Sequence, residues 1–285
     1  MKHCGYSYSI PLALIAALAA VWLLVNVSSD DSLARLRHDG TIRIGYAVEA
    51  PYAFVTQDGT VTGESPEIAK RIVRSIGIEQ IAWRQAEFGS LLAELEAGRI
   101  DVVAAGMFIT PERKMQVAFS TPTFQVRPGL LVCAGNPLLL HSYKELATRD
   151  VTVAVLSGSV EQNTLSRLGV PAGKLLAVPD ARTGIAAVTS GLAAGMAISS
   201  PTARWIAKHG KEHVEAVEPT AKGDSESLGL GAFAFRKEDR ALLEAWNRAL
   251  ESYIGTKEHL ALVSRFGFTA EELPPTAKGK PESRP

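Results

Sequence analysis

Two series of alternating strand and helix patterns constrain what this chain can fold into. The first series occupies residues 41–116 and the second occupies residues 151–209. A strand that is followed by a helix and another strand favours a parallel sheet covered by helices. Apolar extended segments at residues 129–134 and 228–235 stand where the chain would cross between two such units. We therefore predict an α/β fold with two lobes, two crossover strands and a cleft between the lobes.

The order of these segments also predicts the extent of each lobe. The helices after the second crossover should pack back on the first lobe, which makes that lobe discontinuous. The predicted first lobe comprises residues 35–128 and 230–270, and the second comprises residues 129–229. The tail at residues 274–285 is rich in proline and charged side chains, a composition typical of disordered segments.

An apolar run near the N-terminus predicts export. Residues 10–27 contain no charged side chain, and their length lies between that of a signal sequence and that of a membrane helix. Val27 and Ser29 fit a small-residue pattern for cleavage after Ser29. Residues 1–29 are therefore predicted to be either a cleaved signal peptide or an uncleaved membrane anchor. Both alternatives place the rest of the chain in the periplasm or an equivalent extracytoplasmic space.

Composition and motif content argue against several classes of function. The chain has 285 residues and a formal net charge of +0, so charge gives no reason to expect nucleic acid as a partner. It contains no GxxxxGK, no HExxH, no paired CxxC and no GxSxG motif. The two cysteines, Cys4 and Cys133, predict no disulfide framework. We expect no metal or other cofactor.

An arginine in an unusual position follows the third strand of the first series. Thr110 is a favourable N-cap for a helix that opens with proline, which places Arg113 in the first turn. A cation there opposes the helix dipole, but a guanidinium beside free backbone N–H groups suits a carboxylate ligand. Phe108 stands at the preceding strand end, where open α/β sheets bind ligands. The alternative, that Arg113 pairs with Glu112 or with solvent, stays open at this point.

Several separated motifs resemble the extracytoplasmic solute-binding proteins of ABC importers, in the polar amino-acid family. They are GYAVEAPYAF (45–54), GESPEIA (63–69), EFGSLL (87–92), AAGMFITPER (104–113), AGNPL (134–138), LHSY (140–143), GAFAFRKED (231–239), IGTKEHLALV (254–263) and FGF (266–268). The resemblance covers about residues 35–270, and within the family it is strongest to the ectoine- and hydroxyectoine-binding members. It implies the type II periplasmic-binding-protein clamshell as the fold. It also implies a monomer that delivers its ligand to the membrane-embedded permease subunits.

The resemblance also implies a set of ligand-binding residues in the first lobe. Arg113 would bind the ligand carboxylate with help from Thr110, and Glu49 would face the ligand cation. Three aromatic side chains would enclose the ring of the ligand: Tyr52, Phe88 and Phe108. A charge-assisted pair with arginine fixes orientation, and each aromatic face attracts a delocalised cation by about 0.5–2 kcal/mol. Ordinary core packing is the alternative for each aromatic residue taken singly.

The second lobe would supply polar contacts that form when the cleft closes. The candidates are Ser159 and Val160 at a helix start and Ser199 after a strand. Receptors for ordinary α-amino acids commonly carry an aspartate at the position of Ser199, and no acid stands there in this chain. The segments 191–195 and 219–227 also depart from the ectoine-binding pattern.

These observations predict a binding protein for a small zwitterionic solute, with ectoine or hydroxyectoine as the expected ligand. A binding protein for a polar amino acid is the first alternative. A periplasmic enzyme similar to cyclohexadienyl dehydratase is the second, with Glu49 as a general acid. The sequence offers no second acid–base group near Glu49, so we predict that the protein is not an enzyme. A membrane-tethered sensor would need an uncleaved N-terminus.

Overall fold

The structure is a computed structural model that describes residues 30–210, 213–218 and 228–275. The predicted signal or anchor at residues 1–29 and the segment 219–227 lie outside the described residues, as does the tail from residue 276 onward. Within the described part, no helix is both long enough and apolar enough to cross a membrane.

The strands of the described residues are short and are divided among four sheets. In chain order they are β1 (Thr41–Tyr46), β2 (Phe54–Val55), β3 (Val61–Thr62), β4 (Gln80–Gln85), β5 (Val102–Val103), β6 (Ala118–Phe119), β7 (Phe124–Val126), β8 (Pro128–Cys133), β9 (Val153–Leu156), β10 (Leu175–Val178), β11 (Gly195–Ser199), β12 (Val214–Val217), β13 (Gly229–Gly231) and β14 (Ala234–Phe235).

Helices follow most of these strands. They are α1 (Ser32–Asp39), α2 (Glu64–Ser75), α3 (Leu91–Glu96), α4 (Pro111–Gln116), α5 (Tyr143–Thr148), α6 (Val160–Arg167), α7 (Ala181–Thr189), α8 (Ser200–His209), α9 (Arg240–Tyr253) and α10 (Lys257–Ser264). Three short 3-10 turns complete the described elements: Phe88–Ser90, Ala172–Lys174 and Ala270–Glu272.

The first lobe is built on a five-stranded sheet with the order β4-β1-β5-β14-β6. β1 pairs in parallel with β4 and β5, and β14 joins antiparallel after the chain returns from the second lobe. Helices α2, α9 and α10 contribute to the largest hydrophobic cluster, where the indole of Trp246 is fully buried. The late helices therefore pack against elements that precede them by more than 160 residues, namely α1 and α2.

The second lobe repeats the same construction. Its five-stranded sheet has the order β10-β9-β11-β8-β12; β9, β10 and β11 are parallel, and β8 pairs antiparallel with both of its neighbours, β11 and β12. A separate hydrophobic cluster between this sheet and its helices includes Leu131 and Met196. The predicted α/β class with two lobes and a pair of crossovers is confirmed.

One of the two crossover strands is not the one that the sequence suggested. β7 and β13 pair antiparallel and connect the lobes, with Phe124 opposite Gly231. The segment 129–134 instead forms most of β8, deep in the second sheet. The segment 228–235 divides into the crossover β13 and the first-lobe strand β14. An apolar run does not distinguish a crossover from a central strand, because both are buried on two faces.

A buried carboxylate ties the chain's return strand to the rest of the first sheet. Asp101, fully buried, accepts hydrogen bonds from the Arg43 guanidinium at 2.7 and 3.0 Å and from Arg236 at 3.0 Å. Arg43 lies on β1 and Arg236 directly follows β14. The two arginines hold the pKa of Asp101 below its usual range against the opposing effect of burial. One carboxylate thus joins three segments that are far apart in sequence.

We expect Asp101→Asn to reduce the free energy of unfolding by about 1.5–3 kcal/mol, because the fully buried carboxylate that bonds both Arg43 and Arg236 loses its charge, although Arg236 keeps Asp239 as a partner. Glu94→Gln is the matched control. Glu94 also makes a two-bond contact with an arginine, Arg99, but that arginine is exposed, so a loss below about 1 kcal/mol is expected. Urea denaturation measures both variants, and equal losses would contradict the structural role of Asp101.

Candidate ligand-binding site

A cavity lies between the two lobes and contains about 300 Å³ of space, counted with its open mouth. The residues that line it are Glu49, Tyr52, Phe88, Gly106, Phe108, Arg113, Leu156, Ser159, Val160, Glu161 and Ser199. Most of them follow the carboxyl ends of parallel strands of the two sheets. Strand ends of this kind are the usual ligand sites of open α/β sheets.

The structure brings together eight of the nine residues that were predicted from the sequence. Thr110 is the exception, because it does not line the cavity. It is the N-cap of α4, and its hydroxyl accepts a hydrogen bond from the backbone N–H of Arg113 at 3.2 Å. Thr110 therefore fixes the start of the helix that carries Arg113.

The Arg113 guanidinium reaches across the cleft. It donates to the Phe108 carbonyl at 2.7 Å and, from the first lobe to the second, to the Gly158 carbonyl at 2.9 Å. Its central carbon lies 5.5 Å from the centre of the Phe88 ring. Among the described residues no carboxylate lies within 4 Å of this guanidinium, Glu112 included. Burial lowers the pKa of Arg113, but an arginine stays charged.

Glu49 is the acidic counterpart in the first lobe. Its backbone is held by two hydrogen bonds with Ala53, and its side chain is 8% exposed. Its carboxyl accepts a hydrogen bond at 2.8 Å from the hydroxyl of Thr202 in the second lobe. Burial raises the pKa of Glu49 to about 8, and the nearby Glu161 adds to the shift while Thr202 opposes it.

The three aromatic residues serve both the core and the cavity. The Tyr52 ring packs on Phe124 at 5.0 Å and on Phe268 at 5.6 Å, and its hydroxyl donates to Ser199 at 3.0 Å. Phe108 is half-buried and lies edge-on to Phe124. Phe88 is 9% exposed and belongs to the hydrophobic cluster under α3. Each presents part of its ring to the cavity while the rest is packed.

The second lobe contributes the start of α6 and the end of β11. Ser159 is the N-cap of α6 and accepts from the Gln162 N–H at 3.2 Å, and Val160 is the first residue of the helix. Ser199 ends β11 and leads directly into α8. The three residues from which polar contacts were predicted in this lobe thus line the cavity.

Sequence reasoning missed two polar residues of the site, Glu161 and Thr202. Glu161 lines the cavity, and burial raises the pKa of its carboxyl, opposed by hydrogen bonds from its own N–H and from Ser159. A glutamate in a first helical turn usually indicates an exposed position near the dipole. Thr202 is fully buried in α8, and nothing in its local sequence indicates that it meets Glu49.

The described residues contain no group of three or more His, Cys, Asp or Glu side chains arranged to hold a metal ion. The groups that converge on the cavity are instead one guanidinium, two carboxyls, hydroxyls and aromatic rings. Such a set can bind a small molecule that carries both an anionic and a cationic group. Two α/β lobes around a cavity of this kind define the class of periplasmic binding proteins with the type II fold.

Comparison with known proteins gives the same class and narrows it. Residues 42–269 match the family described as bacterial extracellular solute-binding proteins, family 3, and the chain belongs to this family. Membership implies an extracytoplasmic location and delivery of a small ligand to an ABC permease.

Individual relatives bind or transport different solutes. The chain is 32% identical, over 92% of its length and 88% of the relative's, to a probable amino-acid ABC transporter periplasmic-binding protein, y4tE, of Sinorhizobium fredii. It resembles the crystal structure of EhuB in complex with hydroxyectoine, with 29% identity, a TM-score of 0.78 and coverage of 85% and 94% of the two chains. It also resembles an ancestral amino-acid-binding protein described as a precursor of cyclohexadienyl dehydratase, with 27% identity, a TM-score of 0.72 and coverage of 82% and 99%.

Gly106 tests the packing that positions the Tyr52 ring. A Cβ added at Gly106 would lie 2.5 Å from ring atoms of Tyr52, whereas nothing lies within 4 Å of one added at Gly98. Both glycines have positive φ, +63° and +67°, so alanine costs each of them a similar backbone energy. We expect Gly106→Ala to lower the free energy of unfolding by about 1–3 kcal/mol more than Gly98→Ala does. Urea denaturation measures both variants. Equal losses of unfolding free energy in Gly106→Ala and Gly98→Ala would show that the Tyr52 ring moves freely.

Proposed function

We propose that this protein captures a small solute carrying both a carboxylate and a cation, and delivers it to the permease subunits of an ABC importer. The observation that carries the proposal is the placement of Arg113 and Glu49 on one cavity between the lobes. Arg113 has N–H donors left after its two carbonyl contacts, and no protein carboxylate in the described residues pairs with it. A ligand carboxylate would complete this site with two parallel charge-assisted hydrogen bonds.

Ectoine or hydroxyectoine is our first candidate ligand. Its carboxylate would bind Arg113, and its delocalised ring cation would face Glu49. Three aromatic rings at the cavity would cover the ring of the ligand: Tyr52, Phe88 and Phe108. The absence of an acid at Ser199 and the likeness to a hydroxyectoine-bound structure support this choice. The protein would act as a monomer.

A polar amino acid is the second candidate, and Glu161 is the observation that favours it. A localised ammonium group binds best to carboxylates, and Glu161 adds a second carboxyl to the cavity. The similarity to a probable amino-acid-binding protein supports the same alternative. Thus the aromatic faces favour a delocalised cation, whereas the second carboxyl favours a compact one.

We propose that the site binds its ligand without chemical turnover. The alternative is an enzyme similar to cyclohexadienyl dehydratase, with Glu49 as the general acid. A carboxyl with a pKa of about 8 would suit that role, and the likeness to a dehydratase precursor supports the same alternative. Glu49, however, is engaged with Thr202, and the other acidic group of the cavity, Glu161, is held at its own helix N-terminus. Incubation with prephenate or arogenate should therefore give no product.

A thermal-shift panel tests the ligand. It comprises ectoine, hydroxyectoine, glycine betaine, proline and the common polar amino acids. A ligand at 100 times its dissociation constant should stabilise the protein by about 2.7 kcal/mol. A shift with the two ectoines alone supports the first candidate, and a shift with amino acids alone supports the second. No shift with any member would contradict the proposed ligand class.

Arg113→Ala tests the carboxylate assignment. We expect at least a 100-fold loss of affinity for the ligand found in the panel, because its carboxylate would be buried without a partner. Arg113→Lys keeps the charge but loses the planar guanidinium, so its affinity for the ligand should lie between that of the wild type and that of Arg113→Ala. Arg99→Ala, at an exposed arginine, is the control and should bind normally. Isothermal titration calorimetry measures all three, and undiminished binding by Arg113→Ala would refute the assignment.

A further inference from the structure

A chain of hydroxyl groups connects the two lobes at the base of the cavity. The Tyr52 hydroxyl donates to Ser199 at 3.0 Å, Ser199 donates to Thr202 at 3.2 Å, and Thr202 donates to Glu49 at 2.8 Å. Tyr52 and Glu49 lie in the first-lobe loop after β1, whereas Ser199 and Thr202 lie at the β11–α8 junction of the second lobe. The chain begins and ends in one lobe and passes through the other, so it exists only while the cleft is closed.

We propose that Thr202 is a positioning residue that holds Glu49 across the cleft, and that closure of the empty cleft through this contact requires Glu49 to carry a proton. The ligand's cation would take the place of that proton. The exchange of the proton for a ligand cation rests on the proposed function. The role of Thr202 and the need for a proton on Glu49 concern the protein without ligand.

The surroundings of Glu49 give the reason for the proton. In the closed cleft its carboxyl is buried, and its one side-chain hydrogen-bond donor is the Thr202 hydroxyl. The described residues place no cation within 4 Å of it. A buried carboxylate with so little compensation is strongly disfavoured relative to its neutral form.

Of the other charged and titratable groups around the cavity, Glu161 raises the pKa of Glu49, Tyr52 stays neutral, and the cation Arg113 is engaged with other partners. Glu161, from α6, raises the pKa of Glu49 further. Tyr52, from the same loop, has a pKa raised by burial and stays protonated. Arg113, from α4, is directed to the carbonyl groups of Phe108 and Gly158. None of these groups supplies the positive charge that an ionised Glu49 would need.

The direction of the pH dependence follows from linkage. In the open protein water reaches Glu49, so its pKa should be near the ordinary 4.5, whereas in the closed protein it is about 8. When the pH lies between these two pKa values, closing the empty cleft takes up one proton. The ratio of closed to open protein is therefore greatest below the lower pKa. It falls by up to about tenfold for each pH unit until the upper one is passed.

The consequence concerns selectivity for loaded protein. A ligand cation beside Glu49 satisfies an ionised carboxyl, so closure around the ligand needs no proton. At neutral pH the empty protein then favours the open form more than the loaded protein does. An importer that recognises the closed form would thus meet mainly loaded protein.

Small-angle X-ray scattering on the ligand-free protein tests the proposal between pH 5.5 and pH 8.5. The radius of gyration of the wild type should increase as the pH rises, because the cleft opens. Glu49→Gln, which is neutral at every pH, should stay compact throughout. A wild type whose radius does not change with pH, or a Glu49→Gln variant that changes like the wild type, would overturn the proposal.

Two variants of Thr202 separate positioning from simple packing. Thr202→Val keeps the shape but removes the hydroxyl, so it should be more open than the wild type at pH 5.5. Thr202→Ser restores the hydroxyl and should restore the pH profile. Thr189→Val is the matched control, because Thr189 is an exposed threonine of the same lobe that bonds only within α7. Normal closure by Thr202→Val, or failure of rescue by Thr202→Ser, would refute the role of Thr202.

Addition of ectoine at pH 8.5 tests the exchange of proton for cation. Compaction of the wild type by ectoine would support the exchange. Binding of ectoine without compaction would overturn that step and leave the ligand-free result in place. If ectoine does not bind, the choice of ectoine under the proposed function fails, while the pH profiles still decide the role of Glu49.

Discussion

The cost of removing charge from water governs the cleft of this protein. Closure buries Arg113, Glu49 and Glu161 around one small cavity. Each of these groups has different partners within the protein: Arg113 donates to backbone carbonyls, Glu161 stays at its helix N-terminus, and Glu49 accepts from a single hydroxyl. Glu49 is the least well compensated, which makes it the group most sensitive to whatever enters the cavity.

The fold supplies these positions because both lobes present strand ends to the same space. In the first lobe the segments after β1, β4 and β5 carry the acidic, aromatic and basic side chains. In the second lobe the segments after β9 and β11 carry hydroxyls and a helix start. The clamp of Asp101 between Arg43 and Arg236 keeps the first sheet together where the chain returns from the other lobe. The binding residues can therefore lie on short loops and still be held precisely.

Local patterns predict one part of the first-lobe half of the site, the helix start that carries Arg113, and the family resemblance supplies the rest. The cap at Thr110, the proline after it and the position of Arg113 in the first turn together indicate a carboxylate partner. The same kind of pattern misplaces the crossover, because the apolar run of β8 is equally typical of a central strand and of a connection between lobes. Local patterns also predict that Glu161 is an ordinary, exposed residue of a first helical turn. Its burial depends on the opposite lobe, which the local sequence does not show.

The sequence by itself determined the α/β class, the division into two lobes and the helix start that carries Arg113, whereas Glu49 and the aromatic rings entered as what a family resemblance implies. It could do so because strand–helix alternation and helix caps are set by interactions between near neighbours in the chain. Only the tertiary structure decided that Thr202 faces Glu49, that Ser199 bonds to Tyr52 and that β7 and β13 form the crossover. These contacts join residues as far as 153 positions apart, and their partners are chosen by how the two lobes meet.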